Sequence, residues 1–309
     1  MNKSLVIATR ESPLALWQAE YVQTLLQKQY PDAQVKLLGM TTKGDRILDK
    51  TLSKVGGKGL FVKELEVAMR EGRAQLAVHS LKDVPMQLPD DFVLVAVSKR
   101  EDPRDAFISS KYESLESMPA GAVVGTASLR RELMLRSRFP HLVVKSVRGN
   151  VGTRLKKLDS GEYDALIMAS AGFKRLGLSD RIREIISDEI SLPSPGQGAL
   201  GIECLKADES TCQALAFIDD PVTRACTAAE RYVSRELGGS CQVPLAAYAT
   251  VSGSEMRLRA LVGDHTTGES VSTEVIGQID DWQALARRAV EHLLQQGAKR
   301  YIDKLLCDQ

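Results

Sequence analysis

The chain has 309 residues, 43% apolar and 26% charged, with a formal net charge of +1. That length exceeds one ordinary core and implies two or three domains, and the composition is that of a soluble globular protein. The opening MNKSLVIATRES carries an apolar run too short for a signal peptide, and no stretch approaches a membrane span, so a cytoplasmic protein without membrane contact is expected.

Alternating strand and helix patterns fill the first two hundred residues. LVIAT (5–9) reads as a buried strand, PLALWQAEYVQTLLQKQ (13–29) as a helix with Ser12 at its N-cap and Pro13 at its first position, and VKLLGM (35–40) as a second strand. FVKELEVAMREG (61–72) is a helix stopped by Gly72, and LAVHS (76–80) and FVLVAV (92–97) are strands. After EDPRD the pattern restarts with AFIS (106–109), AVVGT (122–126), a helix from Ser128, LVVKSV (142–147), a helix from about Gly152, and DALIMA (164–169). Such alternation predicts parallel sheets in two α/β domains, with ligands in a cleft at the carboxyl ends of the strands. The pattern changes near Pro221: TRACTAAERYVSREL (223–237) reads as a helix ending at Gly238 and leads into VPLAAYAT, MRLRALVG and ESVSTEVIG and then two terminal helices, which predicts a small α+β domain with a three-stranded antiparallel sheet.

Five cysteines include no CxxC pair, and four scattered histidines form no ligand cluster, so no metal is expected. Cys204, Cys212, Cys226 and Cys307 read as ordinary small apolar residues. Cys241 differs, because GGSCQVPL sets it on a glycine-rich bend.

Charge is unevenly placed: Ser128 to Lys157 holds nine Lys or Arg and one acid, Glu132. An anionic partner or a solvated helix face explains this equally well. Nucleic acid is disfavoured, since only Phe139 interleaves with the basic residues. Four strand-to-helix corners, ATRESPLA, GTASLRRE, SVRGNVGTRL and ASAGFKRLG, place Arg10, Arg130, Arg131, Arg148, Arg154 and Arg175 beside helix starts, where backbone N–H groups and the helix dipole favour anions. Ser12 and Ser128 either cap those helices or face a ligand. VGGKGLFVKE lacks the spacing of a phosphate loop and reads as a lysine-bearing loop, with Lys54 and Lys58 as carboxylate contacts. In HSLKDVP, Asp83 is either a turn former or a carboxylate awaiting a cationic or N–H-bearing group.

Taken together, ATRESPLALWQAE, KGLFVKELE, AVHSLKDVP, REDPRDAF, GTASLRR, RGNVGTRL, PGQGALGIE and ERYVSRELGGSCQVPLAAYA resemble the porphobilinogen deaminases (hydroxymethylbilane synthases) over nearly the whole chain. Ser240 stands where many members have glycine. The resemblance implies two lobes like those of periplasmic binding proteins (1–98 with 199–217, and 99–198) and a cofactor-attachment domain over 218–309. It implies an enzyme that condenses four porphobilinogen molecules into hydroxymethylbilane with release of ammonia, primed by a dipyrromethane on a thioether to Cys241; no heptad or exposed apolar stripe argues for assembly, so a monomer is expected. By the same resemblance Ser80, Lys82, Asp83, Thr126, Ser128, Arg130 and Arg131 hold the cofactor. Arg10, Ser12, Arg148, Arg154 and Arg175, with Lys54 and Lys58, meet the substrate, and Asp83 is the catalytic residue.

Overall fold

The computed structural model describes residues 4–46, 61–239 and 243–307. The chain forms two compact units, one of residues 1–49, 58–101 and 199–224, the other of residues 50–57, 102–198 and 225–309. In the first unit it lays down β1 (Ser4–Arg10), β2 (Gln34–Met40), β3 (Leu76–Ser80) and β4 (Phe92–Val97). In the second it forms β5 (Asp105–Ile108), β6 (Val123–Gly125), β7 (Val143–Lys145), β8 (Ala165–Ala169) and β9 (Glu184–Ile185). It then returns to supply β10 (Leu200–Leu205) to the first unit. The second unit is completed by β11 (Leu245–Ser252), β12 (Glu255–Gly263) and β13 (Ser270–Gln278).

The first unit contains one five-stranded sheet in the order β2-β1-β3-β10-β4. The second contains a sheet of the same plan, β7-β6-β8-β5-β9, and a separate sheet β11-β12-β13. In both five-stranded sheets four strands share one direction, and the remaining one, β10 or β5, is antiparallel to both its neighbours. The expected sheets are therefore mixed rather than parallel. The reversed strand is in each case the one formed as the chain arrives from the other unit, and no crossover helix precedes it to set a parallel direction.

Apolar spacing explains the packing. Helix Pro13–Gln29 buries Ala15, Ala19, Val22 and Leu26, a stripe at intervals of three and four, and Ala19, Val22 and Leu26 meet Leu5, Ile7, Leu76 and Val78 of β1 and β3. In the C-terminal sheet, Leu258 and Ala260 of β12 pack with Ala229 and Val233 of helix Pro221–Glu236 and with Ala289 and Leu293 of helix Trp282–Gln295. This is the expected three-stranded antiparallel sheet with helices, its register running from Leu245↔Val262 to Ser252↔Glu255. Among the described residues no helix is long and apolar enough to cross a membrane.

Candidate active site

In the first unit, strand β3 ends at Ser80 and passes directly into a 3-10 turn, Leu81–Asp83. The turn is pinned by the Leu81 N–H, which donates to the Ala199 carbonyl at 3.0 Å, and by Leu81 itself, which is fully buried. Asp83 is thereby left exposed, and no hydrogen bond or ion pair holds its carboxylate among the described residues. His79, one residue before Ser80, faces inward: its Nε2 lies 3.0 Å from Glu203 Oε2, both side chains buried. Ser80 Oγ accepts from Gln18 Nε2 at 2.8 Å, a contact that sequence reading missed because the two residues are 62 positions apart. Lys82 is half-buried. At the end of β1, the half-buried Arg10 guanidinium stacks over the Phe61 ring, 4.2 Å from its centroid.

The two serines at helix starts separate clearly from ordinary caps. Ser12 and Ser128 occupy N-cap positions with extended backbone, yet neither side chain makes the cap hydrogen bond. Asn150 shows the contrast: its Oδ1 accepts from the Thr153 N–H at 2.9 Å and closes helix Val151–Asp159. The hydroxyls of Ser12 and Ser128 thus make no cap bond to their own helices.

The other candidate arginines lie in the second unit. Arg130 and Arg131, in the first turn of helix Leu129–Arg138, are only 5% and 6% exposed. Both reach Asp105, which is 0% exposed at the start of β5. Arg130 Nη1 also donates to Ser191 Oγ (3.1 Å) and the Leu192 carbonyl (2.7 Å), and Arg131 Nη1 to the Ile167 carbonyl (3.1 Å). The Nε of each is buried without a hydrogen-bond partner among the described residues. Two cations share one anion here, so the cluster keeps a positive charge and two unmet donors. A carboxylate-bearing group fits such a cluster, because an unmatched buried donor costs about 1–3 kcal/mol. Beside it, Thr126 is buried and its Oγ1 accepts from the Ser128 N–H at 3.2 Å.

Burial lowers the pKa of the half-buried Arg148. Arg154 Nε donates to the Gly149 carbonyl at 2.8 Å, and Arg175 Nη2 to the Gly198 carbonyl at 2.6 Å. Gly149 and Gly198 both have left-handed φ, +110° and +94°. The backbone turns that only glycine accepts easily are what present these carbonyls.

Helix Pro221–Glu236 stops at Gly238, whose φ is +70°, and Gly239 lies so close to Ser234 that a Cβ would come within 2.2 Å of its carbonyl oxygen. The two glycines of GGSC therefore serve the end of the helix. Cys241 lies outside the described residues, as do Lys54 and Lys58.

The chain is thus an α/β protein with two mixed five-stranded sheets and a separate antiparallel sheet, and with two buried guanidiniums in the first turn of helix Leu129–Arg138. The family description "Porphobilinogen deaminase, dipyromethane cofactor binding domain" matches residues 5–213, and "Porphobilinogen deaminase, C-terminal domain" matches residues 224–295. Relatives named porphobilinogen deaminase include one from Chromobacterium violaceum, 58% identical over 306 residues and covering 98% of both chains. Another, from Ralstonia nicotianae, is 57% identical over 309 residues, covering 98% of this chain and 92% of that one. Among solved structures, the methionine binding protein MetQ overlaps with a TM-score of 0.44 and 15% identity, over 70% of this chain and 89% of that one. The chain belongs to the porphobilinogen deaminase family, transferases that polymerise porphobilinogen to hydroxymethylbilane in tetrapyrrole synthesis and carry a dipyrromethane-binding domain.

Proposed function

We propose that this chain holds its dipyrromethane through a thioether to Cys241 and performs the polymerisation with Asp83 as the catalytic carboxylate. The observation that carries the reading is the Arg130–Arg131 cluster, buried with surplus positive charge and two unmet Nε donors. Pyrroles bearing acetate and propionate arms match it in charge and in hydrogen-bond capacity.

Bound there, the dipyrromethane supplies a pyrrole with a free α-carbon as primer. Ser80, Lys82, Thr126, Ser128, Arg130 and Arg131 hold its acid arms. Arg10, Ser12, Arg148, Arg154 and Arg175, with Lys54 and Lys58, meet the carboxylates of porphobilinogen. When the aminomethyl group of porphobilinogen leaves as ammonia, positive charge develops on the substrate. Asp83 offsets that charge and accepts a hydrogen bond from pyrrole N–H, and it moves a proton during the step. Residues 218–309 serve as the attachment domain of a cytoplasmic monomer whose two lobes are formed by 1–98 with 199–217 and by 99–198.

Intact-mass measurement of the purified protein tests the attachment. The expected result is an adduct of two linked pyrroles, mapped by peptide digestion to Cys241. An unmodified mass in active enzyme, or an adduct on Cys204, Cys212, Cys226 or Cys307, would refute it.

A separate expectation concerns the substrate clamps. Replacing Arg148 or Arg154 with Leu removes a charge-assisted contact worth roughly 1.5–3 kcal/mol, or about ten- to a hundredfold in binding. Elongation should stall, and mass spectra should show enzyme carrying fewer added pyrroles. Unchanged turnover in both variants would assign the basic stretch to a solvated face.

A further inference from the structure

We infer that Asp105 is a positioning residue that fixes the orientation of Arg130 and Arg131 and tunes their joint charge to accept one carboxylate. The inference rests on the reading that these arginines hold the cofactor's acid arms, and it adds two residues, Asp105 and Ser191, to that site.

Asp105 opens β5, a strand whose four residues are all buried. A carboxylate in such a place is strongly unfavourable unless nearly every lone pair is matched. Here the matching is dense. Oδ1 accepts from Arg130 Nη2 (3.1 Å), Arg131 Nη2 (2.8 Å) and Gln197 Nε2 (2.9 Å). Oδ2 accepts from the Ser191 hydroxyl (2.7 Å) and lies 2.8 Å from Arg130 Nη2. Burial alone would raise its pKa, but the Arg130 and Arg131 guanidiniums outweigh burial and hold the carboxyl far below the usual range. Asp105 is therefore ionised whenever the protein is folded near neutral pH.

Charge arithmetic then decides what the cluster can bind. Two guanidiniums and one carboxylate leave one positive charge. A second buried acid would make the cluster neutral and remove its attraction for an anion. Without Asp105, two adjacent buried cations would repel each other with no carboxylate to hold their planes. With it, the terminal nitrogens are spent on Asp105, Ser191 and backbone carbonyls, and each Nε–H remains unpartnered among the described residues. One incoming carboxylate neutralises the cluster and brings two further acceptor oxygens to its unmet donors. Ser191 ties the arrangement together by donating to Asp105 and accepting from Arg130.

The test uses full-length protein made in cells that produce no porphobilinogen. Acquisition of the cofactor is followed by intact mass after porphobilinogen is added. The melting midpoint of the unloaded protein is followed against acetate at constant ionic strength. Ser191→Ala should fold, respond to acetate more weakly than wild type, and load about tenfold more slowly, the scale of one hydrogen bond to a charged group. Asp105→Asn, with a cluster charge of +2, should show a steeper dependence of its midpoint on acetate, because the folded state takes up an additional anion. A purely structural role would lower the midpoint without changing that slope. Wild-type loading by Ser191→Ala, or a wild-type acetate slope in Asp105→Asn, would overturn the inference. If Asp105→Asn does not fold, the loading rate and acetate response of Ser191→Ala decide alone. A wild-type chain that never gains the group would refute the cofactor reading, while the acetate responses would still decide the role of Asp105.

Discussion

Asp83→Asn, loaded with cofactor, should release ammonia in a single turnover roughly a hundredfold or more slowly than wild type, the scale of losing one preorganised electrostatic contact. The substitution keeps the size of the side chain and one acceptor, and removes only the charge. Folding should be unaffected, because Asp83 is exposed and its turn is held by Leu81 and the Ala199 carbonyl. Cofactor and substrate should still bind, since their acid arms are recognised by arginines that do not depend on this carboxylate. Asp83→Glu should retain part of the activity, as the charge survives at a shifted position. Wild-type ammonia release by the Asn variant, or a loss confined to binding, would leave Asp83 as a turn residue.

Glu230→Ala should be among the most destabilising single changes in the second unit. Glu230 is fully buried in helix Pro221–Glu236, with Oε2 accepting from the Gly196 N–H at 2.7 Å and Oε1 from the Ala249 N–H at 2.9 Å. One side chain thereby fastens the helix to the PSPGQG segment and to β11. Alanine strands two buried backbone donors, at about 1–3 kcal/mol each, so a loss of roughly 3 kcal/mol or more is expected. Glu230→Gln keeps an acceptor for one donor and should lose about half as much. Urea unfolding measures this as a lower midpoint at unchanged slope. A midpoint equal to wild type in the alanine variant would show that water replaces the carboxylate.

Strands with continuous apolar runs between polar residues were legible to the residue, as in LAVHS (Leu76–Ser80) and FVLVAV (Phe92–Val97). Strand β10 was not, because Gly201 and Glu203 break the apolar pattern of LGIECL. Its partners, β3 and β4, lie more than a hundred residues earlier. Strand direction was also hidden: it follows from which unit the chain has just left, a property of the whole path. At the site, the arginine-bearing corners could be read from local spacing, since a helix start beside a cation is a local feature. The Asp105 cluster could not. Within EDPRD the residue looks like part of a turn, and its partners lie 25, 26, 86 and 92 positions away. The only signal was a charged residue adjoining the apolar run AFI. The serines at 12 and 128 were ambiguous for another reason: capping and ligand contact favour the same residue at the same place, and neither serine makes the cap bond.

The shared sheet plan also has a consequence for the order of events during synthesis. All five strands of the sheet in the second unit come from one continuous stretch, between Asp105 and Ile185. The first sheet starts earlier, at Ser4, but its interior strand β10 ends only at Leu205. As the chain leaves the ribosome, β3 and β4 must wait with their facing edges unpaired while about a hundred further residues are made. The sheet nearer the N-terminus is therefore the later one to close. During that interval β3 and β4 depend on a chaperone or on their flanking charges, among them Asp90 and Asp91 at the start of β4, to keep unfinished copies apart.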